Sequence, residues 1–433
     1  MTIERVGTDV LLHPAGPVRG EATPPGSKSL TNRYLACAAL ADGVSVLHGA
    51  SLSDDTHAML GGLERLGVQT ETLSAAHEIH IRGSHANLVA DEVEINVGHA
   101  GTAMRFLTAL ACLGYGRRRL DGSPRMRQRP IGSLVDGLRA LGAQIGYEAT
   151  EGCPPLTVLA AGLTGGEVVF DTPPSSQFLS ALLMVGPYAR QDVLIRVEGA
   201  LPSRPYVDMT CDVMRTLGAE VVEHDGRFIV PASQRYQAGT WTVEPDASAA
   251  TYLWAAAAVT GGSVRVRGLT RQSRQGDVGF VDVLAQMGCR VNEGADFLEV
   301  SGPEHGRLRG VAVDLNAMPD TAQTLAVAAL FADGPTEIRD VANLRIKETD
   351  RLAALATELT RLGARVAVRP DGLTIHPPAR LQPAAIETYD DHRMAMSFAL
   401  AGLVVDGVRI TSAGCVSKSF PDYFDVLDSL MAG

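Results

Sequence analysis

Six polar segments in this chain read as helix starts, and the residues in them are suited to holding anions. They are GSKSLTNR (26–33), GHAGTAMR (98–105), PPSSQ (173–177), PDASAA (245–250), PDTAQT (319–324) and YDDHRMAM (389–396). A helix N-terminus presents unpaired N–H groups and the positive end of the peptide dipole, so it suits phosphate or carboxylate. Ser, Thr, Asp and Gly there are also ordinary caps. Capping does not account for Lys28, Arg33, Arg105 and Arg393. A cation at that end opposes the dipole unless an anion is present.

Further cations accompany them. RMRQRPIG (125–132) supplies Arg129, and SKSFPDYF (417–424) supplies Lys418. NLRIKETDR (343–351) places Lys347 and Arg351 four apart on one helical face, with Glu348 beside Lys347. Each alone reads as a solvated surface charge. Together they describe a cleft for a ligand with more than one anionic group. With a net charge of -11, the chain must attract such a ligand locally. The same charge argues against a nucleic-acid partner. Lys28 lacks the upstream glycines of a phosphate-binding Walker loop, and no GxGxxG, nucleophile elbow or HExxH is present.

The elements that must carry these residues repeat. Helical segments end in Leu66-Gly67, Leu141-Gly142, Leu217-Gly218, Met287-Gly288 and Leu362-Gly363, at steps of 70 to 76 residues. Taking Lys28, Thr102, Ser176, Ala247, Asp320 and His392 as markers, the polar starts recur every 71 to 74 residues. Self-similarity at this period defines a repeat architecture. Each copy reads as strand, helix, strand, helix and further strand, an α/β layering. At 433 residues and 45% apolar, about two domains of three copies each are expected, with Val243-Glu244-Pro245 a candidate boundary. The six cysteines form no CxxC pair, which suits a reducing compartment and excludes a disulfide framework or zinc site. The segment MTIERVGTDVLL is too short and charged for a secretory signal, and no apolar run spans a bilayer.

The motifs PGSKSLTNR, AGTAMR, PRMRQRPIG, SSQFLSALL, LPSRPYVDMT, IKETDR, DDHRMAM and SKSFPDYF, in this order over residues 24 to 424, resemble the 3-phosphoshikimate 1-carboxyvinyltransferase family of enolpyruvyl transferases. The resemblance implies transfer of the enolpyruvyl group of phosphoenolpyruvate to the 5-hydroxyl of shikimate 3-phosphate, with no metal or cofactor. It implies a two-domain inside-out α/β barrel of βαβαββ units, residues 1–26 with 246–433 forming one domain and 27–245 the other. The active site would lie in the cleft between them, closing on substrate. A cytoplasmic monomer is expected.

By the same resemblance, Lys28, Ser29, Arg33, Ser175, Ser176, Gln177, Ser203, Tyr206, Asp320, Asn343 and Lys347 would hold shikimate 3-phosphate. Lys28, Gly101, Arg129, Gln177, Arg351, Arg393 and Lys418 would hold phosphoenolpyruvate. Asp320 would take the hydroxyl proton and Glu348 would handle the methylene proton, with Lys28 and His392 among the catalytic groups. Such a reaction needs one carboxyl to give a proton and one to take it, and paired arginines for bidentate anion contacts.

Two positions depart from the family pattern. His99 replaces an asparagine, a swap between side chains that both hydrogen-bond locally. Phe106 replaces a proline and is read as a core residue opening a helix over 106–113. By shifting Gly101 and Thr102 it is also expected to reduce sensitivity to glyphosate, which competes with phosphoenolpyruvate in this family. The related transferase acting on UDP-N-acetylglucosamine carries a cysteine in the loop matching 121–130, and this chain has none there. Retained Ser175, Ser176, Gln177 and Tyr206 weigh against a different acceptor, and retained Asp320, Glu348 and Lys28 against a non-catalytic binding protein.

Overall fold

The computed structural model describes residues 3–431 apart from 15 and 304–306. The chain divides into two compact units. One is the continuous segment 26–243; the other joins residues up to 25 with 244 onward. Each has its own hydrophobic core.

Among the described residues there are six sheets, each with four strands and one topology. In one, strand Val89–Asn96 runs parallel to Tyr115–Asp121, which pairs antiparallel with Leu156–Ala160, and Gln144–Tyr147 closes the edge. Helix Gly101–Leu110 makes the parallel crossover and helix Gly132–Ala140 leads to the hairpin, giving βαβαββ in chain order. Five of the helices stop where expected, because the glycines at 67, 142, 218, 288 and 363 adopt φ between 87° and 101°. A side chain with a Cβ rarely enters that conformation.

Three sheets borrow strands from far along the chain. Thr240–Thr242 lies parallel to Val44–His48 and completes a sheet in the continuous unit. In the other unit, Arg19–Ala22 lies beside Ser263–Arg267, and the hairpin Ile3–Val6/Asp9–Leu12 pairs with Val408–Ile410.

Strand side chains alternate as half-buried sheets require. In Ser263–Arg267, Val264 and Val266 are fully buried, while Arg265 crosses to Glu299 at 2.8 Å on the outer face. The first helices of the repeats are buried on nearly every side. Helix Ala247–Thr260 exposes no face, which its run of alanines permits by letting neighbours approach closely. In helix Arg351–Arg361 the stripe Leu352, Leu355, Leu359, with Leu362 at its cap, is wholly buried.

One helix differs from expectation. The segment containing Phe106 begins at Gly101, not at Phe106, because the Met104 amide already reaches the Ala100 carbonyl at 3.0 Å. Phe106 therefore lies mid-helix, 1% exposed.

Candidate active site

In the continuous unit, the polar starts of the helices carry the residues singled out above. Ser27 caps helix Lys28–Ala38 by accepting from the Leu30 amide. Lys28 Nζ lies 3.0 Å from Asp55 Oδ2 in a largely buried pair that offsets the unfavourable dipole. Ser175 caps helix Ser176–Val185 through the Gln177 amide, and Gln177 Nε2 donates to Thr102 Oγ1 at 3.2 Å. That bond ties the helix starts of two neighbouring repeats together. Ser203, at φ 56°, opens helix Arg204–Thr216, which carries Tyr206. Arg129 is 5% exposed and packs on Gly101 so closely that a Cβ at 101 would lie 2.6 Å from Nη2.

Arg33 and Arg105 find their counter-dipoles inside the protein. Arg33 is 1% exposed and donates to the Ser29 carbonyl (2.8 Å), the Tyr206 carbonyl (3.0 Å), Thr210 Oγ1 (2.7 Å) and Ser180 Oγ (3.4 Å). Its guanidinium sits over the rings of Phe106 and Tyr206. Burial pushes its pKa down to about 10, which still leaves it cationic at neutral pH. Arg33 thus acts on this region through Ser29 and Tyr206. Arg105 donates to the carbonyls of Gly101 (3.2 Å) and Pro130 (2.7 Å), so it fastens the Arg129 loop to the helix start and needs no bound anion. His99 Nδ1 lies 3.2 Å from Ser123 Oγ, a local hydrogen bond of the kind an asparagine also makes.

In the discontinuous unit, the candidate residues form one ion-paired cluster. Arg351, 1% exposed, reaches Asp320 Oδ1 through Nη1 (3.2 Å) and Glu348 Oε2 through Nη2 (3.0 Å). It also grips Asp391 with a two-pronged contact, Nε at 2.7 Å and Nη2 at 3.1 Å. Burial opposes its charge, but Asp391, Glu348 and Asp320 outweigh that and raise its pKa. Arg393 donates to Asp320 Oδ2 at 2.9 Å and to Tyr252 Oη at 3.2 Å. Lys347 Nζ lies 3.7 Å from Asp320, and Lys418 Nζ lies 3.7 Å from Glu348. Four cations therefore meet three carboxylates, an arrangement an incoming anion can enter by displacing a carboxylate.

Asp391 also caps helix His392–Gly402 by accepting from the Arg393 amide. His392 is 1% exposed, its Nδ1 3.6 Å from Asp391. Asn343 lies in the short turn Ala342–Ile346, just ahead of Lys347. Among the described residues, no group of three His, Cys, Asp or Glu is arranged to hold a metal ion, and no helix is long and apolar enough to cross a membrane.

Sequence reasoning missed Asp55, Thr102, Tyr252 and Asp391 as partners. Asp391 stands in the DDHRMAM motif itself and Thr102 in AGTAMR, so those two were within reach. Nothing local marks Asp55 or Tyr252, since each is joined to its partner by the fold.

Residues 12–427 match the family model for EPSP synthase (3-phosphoshikimate 1-carboxyvinyltransferase). The chain is 48% identical over 409 residues to the 3-phosphoshikimate 1-carboxyvinyltransferase of Nostoc punctiforme, covering 94% of this chain and 95% of that one. It is 48% identical over 423 residues to the enzyme of the same name from Photobacterium profundum, covering 97% and 98%. A solved structure of EPSP synthase from Acinetobacter baumannii superposes with a TM-score of 0.80 at 24% identity, covering 98% of both chains, a likeness of fold.

Proposed function

Because the chain belongs to the EPSP synthase family, we propose a division of its chemistry between the two groups of residues described above. The enzyme transfers the enolpyruvyl group of phosphoenolpyruvate to shikimate 3-phosphate in the shikimate pathway and releases phosphate.

Asp320 takes the proton of the 5-hydroxyl as its oxygen attacks C2 of phosphoenolpyruvate. Glu348 delivers a proton to the methylene carbon, which makes C2 electrophilic. Loss of phosphate, with return of a proton from the new methyl group, restores the vinyl carbon and balances the reaction. Arg351, Arg393, Lys418, Arg129 and Lys28 hold the phosphate and carboxylate of phosphoenolpyruvate, with Gly101 and Gln177 at the same ligand. Ser29, Ser175, Ser176, Gln177, Ser203 and Tyr206 hold shikimate 3-phosphate together with Lys28, Asn343 and Lys347. Arg33 keeps Ser29 and Tyr206 in place, and His392, beside Asp391, is among the catalytic groups.

The observation that carries this reading is the Arg351 guanidinium, which bridges Asp320 and Glu348 at 3.2 and 3.0 Å. One cation holding both carboxylates fixes their separation, and an anion drawn to that cation would arrive beside both. Two carboxyls of opposite duty need such fixed spacing. In the same proposal each unit is an inside-out α/β barrel, and the enzyme is a cytoplasmic monomer using no metal or cofactor.

The test is phosphate release from phosphoenolpyruvate with shikimate 3-phosphate present, repeated with each substrate omitted. Release requiring both substrates, and abolished in Lys28→Ala and Asp320→Asn, is the expected result. Undiminished release by Asp320→Asn would remove it as the base.

A further inference from the structure

The loop that aims Arg393 is backbone of an unusual kind. Tyr389 and Asp390 both have φ of 54°, two successive non-glycine residues in the left-handed region. L side chains rarely take up that conformation, so surrounding contacts must impose it. Within the loop, the Asp391 amide donates to the Thr388 carbonyl at 2.9 Å, and Thr388 Oγ1 donates to the Thr411 carbonyl at 3.0 Å.

Further restraint comes from helix Arg351–Arg361. Arg351 grips Asp391 at one end of the loop. Glu358 stands two turns further along the same helix face, roughly 10 Å away. Its side chain is fully buried. Oε1 accepts from Tyr389 Oη at 2.7 Å, and Oε2 accepts from the Glu387 amide at 3.2 Å. Arg361 Nη1 lies 3.3 Å from Oε2 and balances the charge. Burial, then the adjoining Glu358, push the Tyr389 hydroxyl up to about 12, so it stays a donor at any working pH. The helix therefore holds the loop at two points, on either side of the left-handed pair.

We propose that Glu358, acting through Tyr389, is a positioning residue for phosphoenolpyruvate: it fixes the loop that sets where Asp391 and Arg393 lie. No role in the reaction calls for a buried carboxylate at this place, yet each of its oxygens accepts a hydrogen bond from this one loop. Its removal lets the Tyr389–Asp390 pair relax toward ordinary backbone. Arg393, four residues after Tyr389, then loses its aim, and loss of sub-ångström alignment is costly for bidentate anion contacts.

This rests on the assignment of Arg393 to phosphoenolpyruvate made above, and the test separates the two. Steady-state constants are measured for the full-length enzyme and for Glu358→Ala, Glu358→Gln and Tyr389→Phe, varying each substrate in turn. Glu358→Ala is expected to raise KM for phosphoenolpyruvate about tenfold while KM for shikimate 3-phosphate stays within about twofold. Tyr389→Phe should move the same constant in the same direction by less. Glu358→Gln should recover part of the loss, since its carbonyl still accepts from the Glu387 amide. A residue that merely stabilised the unit would lower Tm without splitting the two constants, and that result, or equal rises in both, overturns the inference. Tyr389→Phe removes only a hydroxyl and decides the matter if Glu358→Ala does not fold. An Arg393→Lys variant with unchanged KM for phosphoenolpyruvate would instead strike the site assignment.

Discussion

Adding one methyl group at Gly101 tests how tightly the proposed phosphoenolpyruvate contacts are built. A Cβ at this position would lie 2.6 Å from Arg129 Nη2, 2.7 Å from Nη1 and 2.8 Å from Cζ. Ordinary carbon contacts begin near 3.4 Å, so the guanidinium must retreat by about 0.8 Å. Nothing else forbids alanine, since Gly101 is not among the residues with positive φ. A retreat of that size stretches a charge-assisted hydrogen bond of about 2.8 Å beyond useful length. Losing one such bond costs about 1.5–3 kcal/mol, which corresponds to roughly ten- to hundredfold in affinity. Gly101→Ala is therefore expected to raise KM for phosphoenolpyruvate by that factor, leaving KM for shikimate 3-phosphate and Tm nearly unchanged. Initial rates with each substrate varied at saturation of the other give both constants. In an Arg129→Lys background the methyl should cost far less, because lysine has no fork to displace. A KM for phosphoenolpyruvate within twofold of wild type, or the same methyl cost with lysine at 129, would refute the reasoning.

Asp320→Asn and Glu348→Gln keep the shape of each carboxyl but remove the proton exchange, and each should lower kcat by about 10²–10⁴ in single-turnover measurements; loss confined to KM would assign them to binding alone. Asp277, buried and hydrogen-bonded by Ser248, has its pKa raised from 3.8 to about 7, first by burial and then by the charge of Asp320. Its folded value lies above its unfolded one, so its contribution to stability is full below about pH 4 and is lost as the pH rises to about 7, on the order of 4 kcal/mol. Asp277→Asn should accordingly flatten Tm between pH 4 and 7 relative to wild type, and parallel Tm profiles would show that the group does not titrate there. Phe106→Pro removes a ring lying 5.4 Å from the Arg33 guanidinium and breaks a mid-helix hydrogen bond. It should lower both Tm and the inhibition constant for glyphosate, and an unchanged inhibition constant would reduce Phe106 to a packing role.

The repeats were legible because their punctuation is local. A Leu-Gly or Met-Gly step ends a helix through the conformational freedom of its glycine, and five such steps fall at nearly equal intervals. The charged helix starts were legible for the same reason, as cations placed against the dipole. Local sequence could not show which of those cations serve the fold. Arg105 and Arg393 open equivalent helices, yet Arg105 is satisfied by two carbonyls and Arg393 by a carboxylate and a tyrosine. The difference lies in what the neighbouring repeats bring alongside. Tyr252 reaches Arg393 from 141 residues away, and Asp391 reaches Arg351 from 40. The start of the Phe106 helix was misplaced because glycine and threonine are poor helix formers, and packing overrode that preference.

The strand exchange between distant parts of the chain also imposes an order in time. The continuous unit owns every strand of its three sheets by residue 243, so it can be complete while the residues from 244 onward are still to be made. The hairpin Ile3–Leu12 pairs with Val408–Ile410, which are made nearly 400 residues later. At about 5–20 residues per second, that hairpin waits roughly 20–80 s for its partner. Its edge stays exposed through that interval, so a segment made early is secured late, and a chaperone has reason to cover it.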